Sequence, residues 1–417
     1  MATALKPDAP PSGLASRRHG IGFWLAGYVF AITIAFSAVP APLYVLYQAR
    51  DHFGPLLVTI IFSVYALGVA ASLFGVGHVS DWLGRRRILL LAVATNMASG
   101  LLFVLWPAVP GLIIGRIISG VSIGMLTATA TAYLSELNGA ARPGAPRTRA
   151  EIMAAAASLG GLGLGPLIAG FLAQYAGAPL VVPYLVFEAL MLVGCGFLLV
   201  TPETVRPQEE RHRYRPQRVT VPAASRGRFF AAGAATAVAF ALFGLFTSLA
   251  PGFLAGTLKD RSHALAGAAT FIVFGAAALA QIGTSRVSLR RQLGLGLSVL
   301  TAGLILVTVA IWNPSLPLLL AGGALGGAGA GVVFKGGIST VLEIAPEHAR
   351  GEALAGMFLA AYLGLAVPVI ALGFATQALS PRTALLGFSV LLVVVIAVVA
   401  RKLLVRRPAW RARISKP

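Results

Sequence analysis

Apolar residues occur along this chain in repeated blocks of about 20 or more, separated by short polar stretches. An α-helix of that length rises about 1.5 Å per residue and so crosses about 30 Å of hydrocarbon. The pattern therefore predicts twelve membrane-spanning helices, termed spans 1 to 12, at roughly 21–47, 55–77, 88–106, 110–137, 151–175, 179–201, 229–255, 264–284, 292–312, 316–342, 352–378 and 382–400.

The same pattern argues against a β-barrel, whose strands would alternate apolar and polar residues over segments of about ten. The stretch from Leu89 to Leu105 is instead apolar almost throughout. Composition agrees with a chain solvated by lipid: 57% of the residues are hydrophobic, 11% are charged, and the mean hydropathy is +0.84. A water-soluble domain of this size could not cover that much apolar surface. The predicted fold class is an all-α membrane protein.

The basic charge follows the same topology. The formal net charge is +20, which raises the alternative of a nucleic-acid-binding protein. Twelve spans place both termini on one side, and only four cations lie in loops on the other side: Arg50, Lys259, Arg261 and Arg382. Cytoplasmic loops of membrane proteins carry the excess of Lys and Arg. The distribution predicts an inner-membrane protein with both termini in the cytoplasm and no nucleic-acid partner.

One long connection divides the chain into two halves. The segment 202–228 carries seven Arg and three Glu and is interpreted as a cytoplasmic basic linker between an N-terminal six-helix bundle, 1–201, and a C-terminal bundle with a basic tail, 229–417. Arg149–Gln174 can be aligned with Arg350–Gln377, which matches Glu151 to Glu352 and Pro166 to Pro368. Two parallel six-helix halves are typical of transporters, with the solute bound between them.

The loop between spans 2 and 3 has the sequence GHVSDWLGRRR, from Gly77 to Arg87. It resembles a loop signature of the major facilitator superfamily, onto which Gly77, Asp81, Gly84, Arg85 and Arg86 fall. The resemblance implies two six-helix bundles related by pseudo-twofold symmetry around a central cavity. It also implies that this loop, with Glu136 at the end of span 4, acts as a conformational latch between the halves. From the residues themselves we expect Asp81 to cap the start of span 3.

Three further stretches resemble the same family. LIIGRIISGVSIG, Leu112–Gly124, is similar to its span 4 signature, with Arg116 as the buried arginine. GLGLGPLIAG is similar to the span 5 signature of antiporters, in which Gly161, Gly165, Pro166 and Gly170 would bend and closely pack the helix. Pro202–Thr204, PET, closes span 6 in the family's manner. The second half departs from the pattern, since Val287 stands where Asp81 would map.

Ionisable residues at membrane depth are candidates for function because they are costly there. The sequence places three inside spans: Arg116, Glu188 and Lys335. In the family fold, spans 1, 4, 7 and 10 line the cavity and span 6 is peripheral, so Arg116 and Lys335 are expected to bind solute and Glu188 to be structural. Two cations without an acid on those spans favour an anionic or neutral solute. Tyr44 in span 1 and Phe243 in span 7 are further candidate contacts.

These observations predict a secondary active transporter that exports a small organic solute by alternating access, with protons as the coupling ion. An uptake carrier for a small carboxylate and a transporter-like sensor without turnover are the alternatives. An enzyme is not expected, because no nucleophile, base and orienting group occur together, and no metal-ligand cluster or cofactor motif is present. The expected partners are the solute, protons and the lipid bilayer, and the expected oligomeric state is a monomer.

Overall fold

The computed structural model describes residues 13–76, 79–146, 148–205, 222–346 and 349–404, and within these ranges its regular structure is helical. Twelve helical stretches there are long and apolar enough to cross a membrane, which confirms the predicted number of spans. Their limits are Ser16–Asp51, Pro55–Gly75, Arg85–Leu105, Val109–Ala141, Thr148–Tyr175, Val182–Val200, Ala223–Ser248, His263–Gly283, Leu289–Trp312, Leu316–Ile344, Arg350–Ala378 and Pro381–Leu404.

Span 1 is broken near its end. It consists of two helices, Gly13–Ala38 and Pro40–Asp51, because the ring of Pro40 cannot continue the preceding hydrogen-bond ladder. Span 7 is divided similarly into Arg226–Ser248 and the short helix Ala250–Gly256, which has Pro251 in its first turn. In contrast, the helices of spans 5 and 11 continue through Pro166 and Pro368.

The first and last six spans each form a helical bundle, and the most extensive contacts between the bundles are those of span 2 with span 11 and of span 5 with span 8. We call the membrane side on which spans 6 and 7 are connected the linker side, and the opposite one the far side. Ser63 in span 2 donates a hydrogen bond to the carbonyl of Ala366 in span 11, at 3.3 Å. The short helices that end spans 1 and 7 also meet at the far side. The halves are therefore packed together at the middle and the far side.

Glycines permit the closest helix contacts within each half. A side chain on Gly68 of span 2 would collide with the backbone of span 4 at Ile117, and one on Gly120 would collide with the carbonyl of Tyr65. Backbones can approach this closely in a membrane only where residues are small. This packing fixes span 4, and with it Arg116, against span 2.

Candidate functional site

A cavity lies between the two halves at the middle of the spans. Spans 1, 2, 4 and 5 line it from one half and spans 7, 8, 10 and 11 from the other. Its volume is about 60 Å³, which is enough for a few water molecules and too small for an organic solute. The lining is mainly apolar and aromatic, and its charged member is Arg116. The cavity is thus a contracted site that both halves share.

Arg116 is 3% exposed, and among the described residues it is held in place by backbone carbonyls rather than by an acid. Its guanidinium donates hydrogen bonds to the carbonyl of Ser37 at 2.6 Å and to that of Phe62 at 3.4 Å. It also lies over the ring of Tyr65, 4.5 Å from the centroid. The Nε atom has no hydrogen-bond partner among the described residues. A fixed positive charge with a free donor therefore borders the cavity.

Tyr44 and Phe243, the other two candidates from spans 1 and 7, line the same cavity. Tyr44 is 2% exposed, and its hydroxyl has no partner within the described part of the chain. It is close enough to Arg116 for an electrostatic interaction. Phe243 is stacked on Phe274 of span 8, with ring centroids 4.6 Å apart. The structure therefore brings Arg116, Tyr44 and Phe243 together at one site.

Lys335 does not line this cavity, in contrast to what its span predicts. Its ammonium donates a hydrogen bond to the carbonyl of Gln281 in span 8, at 2.8 Å. The acid that acts on it electrostatically is Glu151 at the linker-side end of span 5, in the other half. Among the described residues these two groups form no ion pair. The Lys335 side chain therefore contacts span 8 of its own half, on the linker side of the cavity.

Sequence reasoning did not identify several cavity residues. Tyr65 of span 2 and Tyr362 of span 11 meet across the halves, with ring centroids 6.0 Å apart. Phe334 of span 10 and Phe358 of span 11 also line the site. Aromatic residues within spans most often pack or anchor, and their spacing does not show which of them faces the other half. The sequence therefore carried no signal that separates these rings from packing residues.

The loop between spans 2 and 3 forms a charged cluster with the ends of spans 4 and 6. Arg85 makes an ion pair with Glu136 at 2.9 Å and another with Asp81 at 2.5 Å. The hydroxyl of Thr204 donates to the second carboxylate oxygen of Glu136. Arg86 donates from its side chain to the carbonyls of Leu199 and Thr201. In this conformation these contacts join elements of the first half and the residues just after span 6.

The residue that caps span 3 is Glu203, so the expectation that Asp81 does so is wrong. Glu203 accepts hydrogen bonds from the backbone N–H groups of Arg85 and Arg86 at 3.0 and 3.1 Å. Gly84, just before the helix, has a φ of +99°, and a side chain there would collide with the Glu203 carboxylate. Asp81 points elsewhere because it lies one turn before Arg85, whose guanidinium it contacts. Gly77 lies outside the described residues.

The glycines of span 5 contact two different neighbours. A side chain on Gly161 would collide with the carbonyl of Ala31, and one on Gly165 with that of Ala35, both in span 1 of the same half. A side chain on Gly170 would collide with the carbonyl of His263 at the start of span 8. Pro166 is buried, and its carbonyl is the closest neighbour of Gly267 in span 8. This face of span 5 therefore packs against span 1 of its own half and against span 8 of the other half.

Glu188 lies in span 6, away from the central cavity. It is 8% exposed, and its Oε1 atom has no hydrogen-bond partner in the described structure. The absence of a side chain at Gly100 in span 3 leaves room for the carboxyl group. The described residues also include no group of three or more His, Cys, Asp or Glu that could hold a metal ion.

Known proteins of similar sequence are transporters. The arabinose-proton symporter of Bacillus subtilis (strain 168) is 31% identical over 143 residues, 32% of this chain and 29% of the symporter. The glucose transport protein of Synechocystis sp. is 27% identical over 200 residues, 44% of this chain and 40% of that protein. The chain thus aligns with less than half the length of each of these relatives.

Solved structures agree with the fold over nearly the whole chain. A bacterial homologue of the human lysosomal transporter Spinster, in an inward-facing and unoccupied conformation, gives a TM-score of 0.68 at 13% identity. The alignment covers 93% of this chain and 98% of that one. The nucleoside transporter NupG also gives 0.68, at 14% identity, with 91% and 99% covered. At these identities the likeness shows the fold alone.

The family itself is shown by sequence. The model of the Major Facilitator Superfamily matches residues 19–291, which is more than half of the chain. The match includes the loop with Asp81 and Arg85, the span that carries Arg116, and the glycine-rich face of span 5. It agrees with the twelve spans and with the shared central cavity. The chain therefore belongs to the major facilitator superfamily of membrane transporters.

Proposed function

We propose that the protein is a secondary transporter that moves a small organic anion through the central cavity by alternating access. The observation that carries this proposal is Arg116, a buried guanidinium that borders the cavity and forms no ion pair with an acid among the described residues. A buried charge without a counter-charge is costly. An anionic solute would supply the missing counter-charge, whereas a cationic solute would add a second unpaired charge.

The structure's packing is compatible with alternating access. The halves meet at the far side through span 5 with span 8 and span 2 with span 11. For solute to enter from the far side, these contacts have to separate while the linker-side ends approach one another. A solute that contacts both halves can favour one arrangement over the other, which is what coupled transport requires.

We propose export in exchange for protons, with the linker side in the cytoplasm and the protein in the inner membrane. The glycine-proline face of span 5 resembles that of antiporters, and the basic loops favour this orientation. Proton-coupled uptake is the second candidate, because one relative is an arabinose-proton symporter. A sensor that binds solute without turnover is the third, and it retains the site while lacking transport.

Counterflow in proteoliposomes tests the transport activity. Purified protein is reconstituted, loaded with an unlabelled carboxylate and supplied with the labelled compound outside. We expect accumulation of the labelled anion by the wild type and its loss in Arg116→Met, which keeps an unbranched apolar stem and removes the guanidinium and its charge. Arg401→Met, an exposed cation at the end of span 12, is the matched control. Binding without counterflow would identify a sensor, and counterflow of neutral compounds alone would reject the anion.

Direction, coupling and orientation need separate measurements. Everted vesicles with an imposed proton gradient are expected to accumulate the anion as the gradient is dissipated. Accumulation only in right-side-out vesicles would indicate uptake. For orientation, single cysteines replace Ala178 and Pro143, on opposite sides, in a Cys195→Ala background. An impermeant maleimide should label Ala178→Cys in intact cells and Pro143→Cys only after lysis, and the reverse would overturn the topology.

A further inference from the structure

We infer that the transported anion is an aromatic monocarboxylate, with its carboxylate bound by Arg116 and Tyr44 and its ring bound by the phenylalanines of the opposite half. This inference rests on the proposed function and narrows it from any small organic anion to one chemical class. Two observations support it. The cavity has two hydrogen-bond donors without partners, and one of its walls is polar whereas the other is aromatic.

The polar wall belongs to the first half. The Nε atom of Arg116 and the hydroxyl of Tyr44 are buried polar atoms without hydrogen-bond partners among the described residues. Both residues line the cavity, and they are close enough to interact electrostatically. Buried donors are normally satisfied, so two that remain free in one cavity indicate a missing acceptor. A carboxylate has two oxygens and can accept from both donors at once.

The aromatic wall belongs to the second half, which contributes most of the phenylalanines of the lining. Phe243 stacks on Phe274 with centroids 4.6 Å apart and an interplanar angle of 25°. Phe240 packs edge-on against Phe243 at 5.6 Å and against Phe334 at 5.1 Å. A wall of such rings favours a flat aromatic body, because aromatic pairs gain from stacked and edge-to-face contacts beyond the area that they bury.

The lining argues against sugars and other polyols. Within the described residues it includes no Asp, Glu, Asn, Gln, His or Lys, the side chains that pair with many hydroxyl groups. The hydroxyls of Ser37, Thr127 and Thr247 already donate to backbone carbonyls of their own helices. A polyol would leave several buried hydroxyls without partners, and that is unfavourable. The relatives that carry arabinose or glucose are thus poor guides to this site.

The number of cations indicates a single negative charge. Arg116 is the charged residue of the lining, and the ammonium of Lys335 is bound to the carbonyl of Gln281 outside it. A dicarboxylate would place its second charge against the wall of the second half, to which the described lining contributes no cation. A monocarboxylate leaves neither wall with an unpaired charge.

The volume of the cavity indicates in which conformation of the protein an aromatic ring can bind. The cavity measures about 60 Å³, whereas an engineered cavity that holds benzene measures about 150 Å³. The aromatic walls therefore have to move apart before a ring enters. Since the two walls belong to different halves, this movement is the separation of the halves. A ring between the walls would couple binding to that motion.

Binding of defined probes to the purified wild-type protein tests the class. The probes are benzoate, acetate, benzyl alcohol, terephthalate and arabinose, and the readout is the melting temperature against probe concentration, since a ligand stabilises by mass action. We expect benzoate to bind at least tenfold more tightly than each of the others. Acetate that binds as tightly as benzoate would overturn the aromatic class and leave the proposed anion transport intact. Arabinose binding without any anion binding would overturn both.

Two variants test the contributions of the two walls separately. Tyr44→Phe removes one donor and is expected to weaken benzoate binding about fivefold to tenfold without changing that of benzyl alcohol. Phe243→Leu is expected to weaken benzoate and benzyl alcohol alike. The exposed residues Tyr175 and Phe171 provide the matched controls Tyr175→Phe and Phe171→Leu. Unchanged benzoate affinity in Tyr44→Phe, with its melting temperature retained, would overturn the two-donor site, and unchanged affinity in Phe243→Leu would overturn the aromatic wall.

Discussion

Lys335 donates a hydrogen bond from its ammonium to the backbone carbonyl of Gln281, at 2.8 Å. This contact joins spans 10 and 8 within one half and turns the lysine away from the cavity lining. The charge faces Glu151 of the other half near the linker side, but in this conformation the two do not form an ion pair. When the linker-side ends approach each other, the two groups can come into contact.

We therefore predict that Lys335 affects the closing of the linker side rather than solute affinity. Lys335→Met should change the affinity by less than about twofold. Lys335→Glu should slow transport about tenfold, a cost of about 1.4 kcal/mol, because two like charges would meet as the gap closes. The combined variant Glu151→Lys with Lys335→Glu restores opposite charges and should recover most of the rate. Transport rates and binding constants measured in the same proteoliposomes distinguish these outcomes.

This prediction is contradicted if Lys335→Met weakens binding as strongly as Arg116→Met does, since that would return Lys335 to the solute site. It is also contradicted if the charge-swapped double variant stays as slow as Lys335→Glu. Both charge-reversed proteins lack the hydrogen bond to Gln281, so a difference between them reports on the pairing with residue 151 alone.

Two acids of the charged cluster are predicted to have different roles, Glu203 in stability and Asp81 in transport. The carboxylate of Glu203 caps span 3, and losing a charged cap costs about 0.5 to 2 kcal/mol. The pair of Asp81 with Arg85 contributes about 0 to 1 kcal/mol, because the Asp81 side chain is 60% exposed. Glu203→Gln should therefore lower the melting temperature in detergent more than Asp81→Asn does.

The transport rate should show the opposite order, with Asp81→Asn lowering it more than Glu203→Gln does. From the family resemblance we propose that the Asp81 loop acts as a latch, which docks on the other half in the alternative conformation through its exposed carboxylate. We expect Asp81→Asn to insert normally and to transport slowly. Initial rates normalised to the amount of folded protein measure this. Wild-type transport rates in Asp81→Asn would contradict the latch role and leave the loop with a role in membrane topology only.

Much of the fold was predictable because membrane thickness fixes the length of an apolar block, so the twelve spans follow from the sequence alone. The break at Pro40 was predictable for a similar reason, since proline interrupts the helix ladder. The break in span 7 carries the same signal in Pro251, yet the predicted span 229–255 runs through it.

The site was only partly predictable. Arg116 stood out because a charge inside an apolar span is rare. Lys335 stood out for the same reason, but depth in the membrane does not show which way a flexible side chain points. Glu203 was noted as part of a motif, and its capping role depends on a contact more than a hundred residues along the chain. Such contacts are set by tertiary packing, which local sequence patterns do not reveal.

Span 5 offers a matched pair of glycine substitutions. Gly170 faces the carbonyl of His263 across the halves, whereas a side chain on Gly160 would meet nothing within 4 Å. Gly170→Ala should hinder packing at the far side and favour a conformation that is open there, whereas Gly160→Ala should not. A cysteine in place of Thr247, which lines the cavity, should then react faster with an impermeant maleimide from the far side. Equal labelling in the two backgrounds would show that the Gly170 contact does not control the opening.

Glu188 provides the last prediction, because a carboxyl group buried inside a span is one that a proton-coupled transporter could use. The Oε1 atom is buried without a partner, the residue lies outside the cavity lining, and Gly100 of span 3 packs against it. A buried carboxylate without a partner costs several kcal/mol, so the fold does not depend on a charge there. Glu188→Gln keeps the shape and removes the ionisable group. It should transport within about twofold of the wild type, with the same dependence on the proton gradient and an equal or higher melting temperature. Loss of proton-driven transport with solute counterflow retained would instead make Glu188 the coupling group, because counterflow needs the solute site and the conformational change but no net proton movement.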